Sequence, residues 1–292
     1  MNLVVGATGL LGSDVCERLT AAGQPVKALV RADSDPEKVK KLVDAGIETV
    51  VGDLKDKASL AQAFAGVDTV ISTASSSFSR REGDTIQTVD RDGQINAVVA
   101  ASEANVKHFV FVSFRDDPKS QYALSKAKRA VEDRIKQSGM KYTIIQASWF
   151  MEVWLSAAIG FDYANASARI YGDGTNPVSY VSYQDVGKMC VAAVQNDASA
   201  NKVIEFGGPD KIAPNDVVKI FEEATGKSFA VEHVPESDLD GQREQATDPL
   251  SESFAGLMLQ CAHGDAIDMD ATVRTFDLQL TSVRDYAKSV AS

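Results

Sequence analysis

Three glycines near the start of the chain carry the first chemical signal. Val4-Val5-Gly6-Ala7-Thr8-Gly9-Leu10-Leu11-Gly12 reads as an apolar strand, a tight turn and the opening of a helix. Glycine lets a backbone turn off a strand end and come close to a ligand. The helix that continues through Ser13-Asp14-Val15-Cys16-Glu17-Arg18-Leu19 aims unpaired N–H groups and its positive dipole end at whatever sits there. That makes a diphosphate seat from Gly6, Thr8, Gly9, Leu10, Leu11 and Gly12. Arg31 stands just past the second apolar run, about 20 residues after the turn. An acidic side chain there would hold a ribose 2′-hydroxyl, and an arginine would hold a 2′-phosphate. A guanidinium fork suits phosphate, and Lys38 on the next helix adds charge. Asp33 lies two residues on and offers a ribose hydroxyl contact instead. The arginine favours NADP(H) over NAD(H). Farther along, Tyr122 and Lys126 stand four residues apart, so a helix would carry both on one face.

The elements that would position these residues come in a steady alternation. Short apolar runs at 26–30, 49–51, 68–72, 108–113 and 142–145 read as strands. Between them, helices are expected up to about residue 22, from 36 to 42, 58 to 64, 85 to 104 and 121 to 137. Repeated β-α-β units imply a parallel sheet covered on both faces. Right-handed crossovers then point to an α/β, doubly wound (Rossmann) dinucleotide fold. Asp53 and Leu54 follow the third strand, where Asp53 can serve as a helix N-cap, a role that can coexist with a cofactor contact. Thr73, Ala74 and Ser75 follow the fourth strand, either passing along the nicotinamide ribose or forming an ordinary serine-rich loop. Past Ser148 the rhythm breaks, with a turn at 171–177, a strand at 178–181, a helix at 183–195 and a strand at 202–206. The expected division is a Rossmann domain over 1–148 and a smaller C-terminal substrate lobe over 149–292. Segments at about 178–206 return to the first domain, and the lobe is expected over the C-terminal edge of the sheet.

Composition narrows the class. The chain has 292 residues, 44% of them hydrophobic and 24% charged, as in ordinary globular proteins. No run of about 18 apolar residues suggests a membrane span, and no signal or transit pattern precedes the first strand. A net charge of −11 makes a poor partner for phosphate backbones, which argues against nucleic acid. Cys16, Cys190 and Cys261 are odd in number and far apart, which fits buried thiols in a reducing, cytoplasmic setting. His108, His233 and His263 show no metal-ligand spacing, so no metal is expected. A monomer and a homodimer are both compatible with the sequence.

Gly6 to Gly12, Val30-Arg31, Gly52-Asp53-Leu54, Val112-Ser113, Tyr122-Ala123-Leu124-Ser125-Lys126 and Tyr142-Thr143-Ile144-Ile145 appear in one order. In that order the chain resembles the short-chain dehydrogenase/reductase superfamily, and within it the atypical, NmrA-like branch. The resemblance covers roughly residues 1–235. It implies an NADPH-dependent reductase of a small carbonyl, quinone or other conjugated substrate. It implies that Tyr122 gives a proton to the substrate oxygen, that Lys126 holds the nicotinamide ribose, and that Ser113 orients the substrate. It places Asp53 beside the adenine. The branch also holds proteins that bind NADP(H) only to sense it, and many members keep the lysine without the tyrosine. Tyr122 is then either the proton donor or a packing residue. A sugar epimerase or dehydratase with tightly held NAD is a further alternative, which Arg31 disfavours. After the sixth strand the branch usually carries an arginine and a proline, whereas this chain has Gln146-Ala147-Ser148-Trp149-Phe150. Phe114, Trp149, Phe150 and Trp154 either wall a pocket for a flat apolar substrate or form plain core.

Overall fold

The structure is a computed structural model and describes residues 1–77, 79 and 81–291. Its first elements are β1 (Asn2–Val5), α1 (Leu10–Ala21), β2 (Val26–Val30), α2 (Pro36–Asp44), β3 (Glu48–Val51), α3 (Lys57–Ala63) and β4 (Thr69–Ser72). A π-helical turn, Ile86–Arg91, runs into α4 (Asp92–Glu103). Then come β5 (His108–Ser113), α5 (Ala123–Lys136), β6 (Lys141–Ala147), α6 (Met151–Trp154), β7 (Phe161–Asp162), β8 (Ser167–Tyr171) and α7 (Tyr183–Gln195). The chain closes with β9 (Lys202–Phe206), α8 (Pro214–Thr225), β10 (Ala230–Val234), α9 (Glu236–Gln245), α10 (Pro249–His263), α11 (Asp270–Phe276) and α12 (Val283–Ala291). Two compact units result. The first holds Met1–Ser113, Leu124–Gln146 and Gly187–Ile204; the second holds Phe114–Ala123, Ala147–Val186 and the chain from Glu205 onward.

The first unit is built on a seven-stranded sheet in the order β3-β2-β1-β4-β5-β6-β9. β1 pairs in parallel with β2 and β4, and the parallel pairing continues through β2–β3, β4–β5 and β5–β6. β1 is buried along its whole length, as a strand covered on both faces must be. The order reverses at β1, so the carboxyl ends of β1 and β4 flank the crevice where such sheets take ligands. α1 turns Leu11, Val15, Cys16 and Leu19 inward. A core of Leu3, Phe64, Val70, Phe109, Phe111, Val131 and Ile144 fills one side of the sheet.

Two expectations for this unit change. The helix expected over 85–104 is broken into a π turn and α4. Thr85 and Thr88 cap the π turn reciprocally, and Gly93 lets the next turn come close to its neighbours. A Cβ at Gly93 would lie 2.8 Å from the Thr88 carbonyl oxygen and 2.9 Å from the Leu54 Cβ. The N-cap of α3 is Asp56, whose side chain accepts from the Ala58 N–H, and not Asp53. His108 is a buried structural residue. Thr143 Oγ1 donates to the Ser199 carbonyl, so it accepts from the protonated Nε2 of a neutral His108 ring at 2.9 Å. Burial pushes the His108 pKa down to about 4.

The second unit carries a small sheet, β10-β8-β7, with β8 parallel to β10 and antiparallel to β7. Its core gathers Trp149, Met151, Phe161, Tyr180, Phe221 and Val283. The strand expected at 178–181 is replaced by isolated bridges, in which Val178 meets Ile212 and Asp265 while Val181 meets Phe150. No helix among the described residues is long and apolar enough to cross a membrane.

Candidate active site

The glycine turn sits at the end of β1 as the spacing requires. Gly6 adopts φ +85°, and a Cβ there would lie 2.8 Å from the Ala74 N. A Cβ at Gly12 would lie 2.2 Å from the Gly6 carbonyl oxygen. These two glycines are fixed by the chain's own packing. Gly9 is different, because among the described residues a Cβ there would meet only the Gly6 oxygen, at 3.2 Å. Gly9 is exposed, caps α1 without a side-chain hydrogen bond, and precedes a first turn free of acidic residues. The first N–H groups of α1 thus lack a side-chain cap, next to a backbone with no side chain in the way. That cradle fits a diphosphate. Thr8 is half-buried and Leu10 is exposed beside it, whereas Leu11 turns into the core. Thr73 closes the turn from the β4 side, its N–H and hydroxyl both donating to the Val5 carbonyl.

Charge gathers at the end of β2. Arg31 Nη1 and Lys55 Nζ both donate to Asp84 at 2.7 Å, and Ser79 Oγ adds a third bond at 2.7 Å. The Asp84 side chain is only 2% exposed. Burial alone would raise its pKa, but the bonds from Arg31, Lys55 and Ser79 hold the carboxyl well below the usual range. Asp33 does not stand open for a ribose hydroxyl, because Arg81 binds its side chain and its carbonyl. Lys38 is exposed on α2. Asp53 caps its own turn, accepting from the Lys55 N–H at 2.8 Å, and Leu54 is part of the core. Asp84 was not legible as the shared partner of Arg31 and Lys55, since it lies 53 and 29 residues from them.

A second polar group lies at the carboxyl ends of β4 and β5. Ser75 is exposed. The Ala74 carbonyl accepts from Gln94 Nε2, whose other side-chain atom, Oε1, accepts from Ser72 Oγ. The Ser113 hydroxyl accepts from Arg129 Nη2 at 2.9 Å, and Arg129 also pairs with Glu132 at 2.7 Å. Gln146 Nε2 donates to the same Glu132. The lysine that enters this region is Lys128. It is 6% exposed, lies 4.9 Å over the Phe111 ring, and donates to the Val112 carbonyl at 3.4 Å. Burial lowers its pKa, opposed by Asp90 and Glu132. Lys126 is exposed. The signal for Lys128 was present in the sequence, for 124, 128, 131 and 135 form the buried stripe of α5.

The expected pairing of Tyr122 and Lys126 on one helix face is not realised, because α5 begins at Ala123 and Tyr122 precedes it. Tyr122 is fully buried within the second unit, its ring stacked on Phe114 at 6.2 Å. Its hydroxyl donates to Gln260 Oε1 at 2.7 Å, and Gln260 Nε2 donates to the Arg115 carbonyl at 2.9 Å. Gly256 on α10 makes room for the ring, since a Cβ there would lie 2.3 Å from Tyr122 Cδ1. The other aromatics expected to line a pocket are largely packed against one another. Trp149 and Trp154 meet edge to face at 4.5 Å, and Trp154 meets Tyr171 at 6.2 Å. Trp149 is core, and Phe150 caps the short α6.

A glycine turn on a doubly wound parallel sheet defines a Rossmann-type dinucleotide-binding architecture. The chain belongs to the NmrA-like family, whose pattern matches residues 2–287. It is 31% identical over 265 residues to the isoflavone reductase homolog IRL of Zea mays, covering 85% of this chain and 82% of that protein. It is 29% identical over 234 residues to the photosystem II assembly factor Ycf39 of Trieres chinensis, covering 80% of this chain and 72% of that one. Among solved structures, the NADPH-dependent quinone oxidoreductase QOR2 of Escherichia coli, complexed with NADPH, superimposes with a TM-score of 0.81 at 21% identity over 100% of both chains. AtPrR2 with NADP+ and (+)pinoresinol gives 0.79 at 25% identity, over 99% of this chain and 97% of that one.

Proposed function

We propose that this protein is an NADPH-dependent reductase acting on a small carbonyl, quinone or other conjugated substrate. The observation that carries the reading is Lys128, a buried lysine at the carboxyl end of β5, in the unit whose glycine turn presents uncapped helical N–H groups. The name of the Zea mays relative, and the NADP+ held by AtPrR2, support the same class. In this reading the α1 N-terminus and Gly9 hold the diphosphate, and Arg31 with Lys55 holds the 2′-phosphate. When bound, the dihydronicotinamide supplies a hydride. Lys128 holds the proton at Nζ. Burial makes an ammonium a readier acid, and its charge stabilises the oxygen on which negative charge develops. The proton passes from Nζ to that oxygen. Ser113, fixed by Arg129, orients the substrate oxygen. Tyr122 has a structural role, and the exposed Lys126 has none in the reaction. We place the protein in the cytoplasm, where three buried, unpaired cysteines are stable.

The test is a screen of NADPH consumption with quinones, aldehydes, ketones and azo dyes, run on the unaltered protein and on two variants. Lys128→Met should keep NADPH binding by calorimetry and lose about 10²–10⁴-fold in turnover. Lys126→Ala should leave turnover unchanged. Undiminished turnover in Lys128→Met removes the role given to Lys128, and an unaltered protein that turns over none of these substrates removes the reductase reading. The assembly factor among the relatives supports one other reading, a cofactor-binding regulatory protein, for which NADPH binds and no substrate is turned over.

A further inference from the structure

The π turn that interrupts the expected long helix places one carboxylate in an unusual position. Asp90 is fully buried. Its Oδ2 accepts from the Ser76 N–H at 3.0 Å and from Ser76 Oγ at 2.5 Å. Its Oδ1 has no hydrogen-bond partner among the described residues. Lys128 is also buried, and among the described residues its three N–H donors meet a single acceptor at 3.4 Å. An ammonium with idle donors and a carboxylate with an idle oxygen are each costly to bury alone. π turns are rare and occur often at functional sites, because one extra residue in the turn re-aims a side chain. The charged groups acting on Lys128 are Asp90 from the π turn, and Glu132 and Arg129 from its own helix. β5 faces it with the Phe111 ring and the Val112 carbonyl. Glu132 is already bound by Arg129 and Gln146. Asp90 is therefore the carboxylate with capacity left for the ammonium.

We infer that Asp90, held by Ser76, is the positioning counter-charge of Lys128 and keeps its Nζ protonated and directed at the end of β5. The pairing rests on a shared neighbourhood: Gln94, four residues along from Asp90, accepts from Ser72 Oγ, and Ser72 stands opposite Phe111, the ring beneath Lys128, whereas its effect on turnover rests on the reductase reading. Asp90→Asn keeps the shape and an acceptor for Ser76 while removing the charge. Lys128 should then hold its proton less well.

The experiment is an NMR titration of protein carrying [ε-13C]lysine, with the Lys128 signal assigned by its absence in Lys128→Met. The Lys128 midpoint should fall by on the order of one pH unit in Asp90→Asn. The basic limb of the kcat/KM profile should move down by the same amount, which a purely structural role would not cause. An unchanged Lys128 midpoint overturns the inference. A midpoint that falls while the kcat/KM limb stays fixed upholds the pairing and removes Lys128 from the reaction. A measurement on the unaltered protein is independent of whether the variant folds. The Asp90 carboxyl carbon, labelled with 13C, should show a step at the Lys128 midpoint, and a flat trace there also overturns the pairing.

Discussion

Tyr122→Phe separates the two roles that a tyrosine in this segment could have. The substitution removes one oxygen and leaves the ring stacked on Phe114, so no cavity opens. What it does leave is Gln260 Oε1, whose one donor at hydrogen-bond distance among the described residues is the Tyr122 hydroxyl at 2.7 Å. Gln260 is 3% exposed, so water replaces that donor poorly. A buried acceptor left idle costs about 1–3 kcal/mol. In domains of 150–250 residues, each kcal/mol lowers Tm by roughly 2–4 °C. The companion variant Gly256→Ala presses a methyl group against Tyr122 Cδ1, where 2.3 Å is available. Overpacking of that kind costs about 1–3 kcal/mol. Urea denaturation should show both variants with lower midpoints and unchanged slopes, and NADPH-dependent turnover in the folded fraction should match the parent. The reasoning is refuted if Tyr122→Phe keeps its midpoint while turnover drops by about 10²–10⁴-fold, the size expected on losing a general acid.

Three further outcomes follow from the first unit. Gly9→Ala requires the Gly6 carbonyl, 3.2 Å from the new Cβ, to give by a few tenths of an ångström, and should weaken NADPH binding in calorimetry while circular dichroism shows a folded domain; normal binding would show that the turn is not the diphosphate seat. Arg31→Ala should narrow the preference for NADPH over NADH by about 1.5–3 kcal/mol, the worth of a hydrogen bond to a charged group, and parallel titrations of the two cofactors measure it. His108 titrates near 6.5 when unfolded and near 4 when folded. The unfolded state therefore binds the proton more readily in that window. The stability this contributes is complete above about pH 6.5 and is lost as pH falls toward 4, at most about 3 kcal/mol. Denaturation midpoints across that range should fall for the parent and flatten in His108→Gln.

The sheet was legible because its strands are short apolar runs spaced by helices with clear stop signals, such as Gly23 and Gly46, both at positive φ. The placement of Gly6, Gly9 and Gly12 after β1 and of Arg31 after β2 was legible because a glycine turn and the end of the second strand lie at fixed distances along the chain. The buried lysine of α5 lies two residues beyond the one the spacing selects. A spacing of four from Tyr122 selects Lys126, but the helix starts after Tyr122, and the buried stripe through Leu124, Val131 and Ile135 selects Lys128. Asp84 and Asp90 could not be found from local pattern, since their partners Arg31 and Ser76 are brought close only by folding. The second unit was hardest to read. Its strands are two to five residues long, and Trp149 and Trp154 look the same in a pocket wall and in a core until their edge-to-face contact is known.

β9 gives the chain's connectivity a practical meaning. It is formed by residues after 200, yet it lies beside β6 at the margin of the first sheet. A polypeptide released at the end of β6 would carry a long strand whose outer row of N–H and C=O groups had no neighbour. Such a row is a template for another chain, and Thr143, Ile144 and Ile145 supply the β-branched surface that favours stacking. β9 thus acts as a guard strand. Its late arrival during synthesis leaves an interval in which a nascent first unit is sticky, and premature termination in the middle of the chain yields an aggregation-prone fragment rather than a working cofactor-binding module.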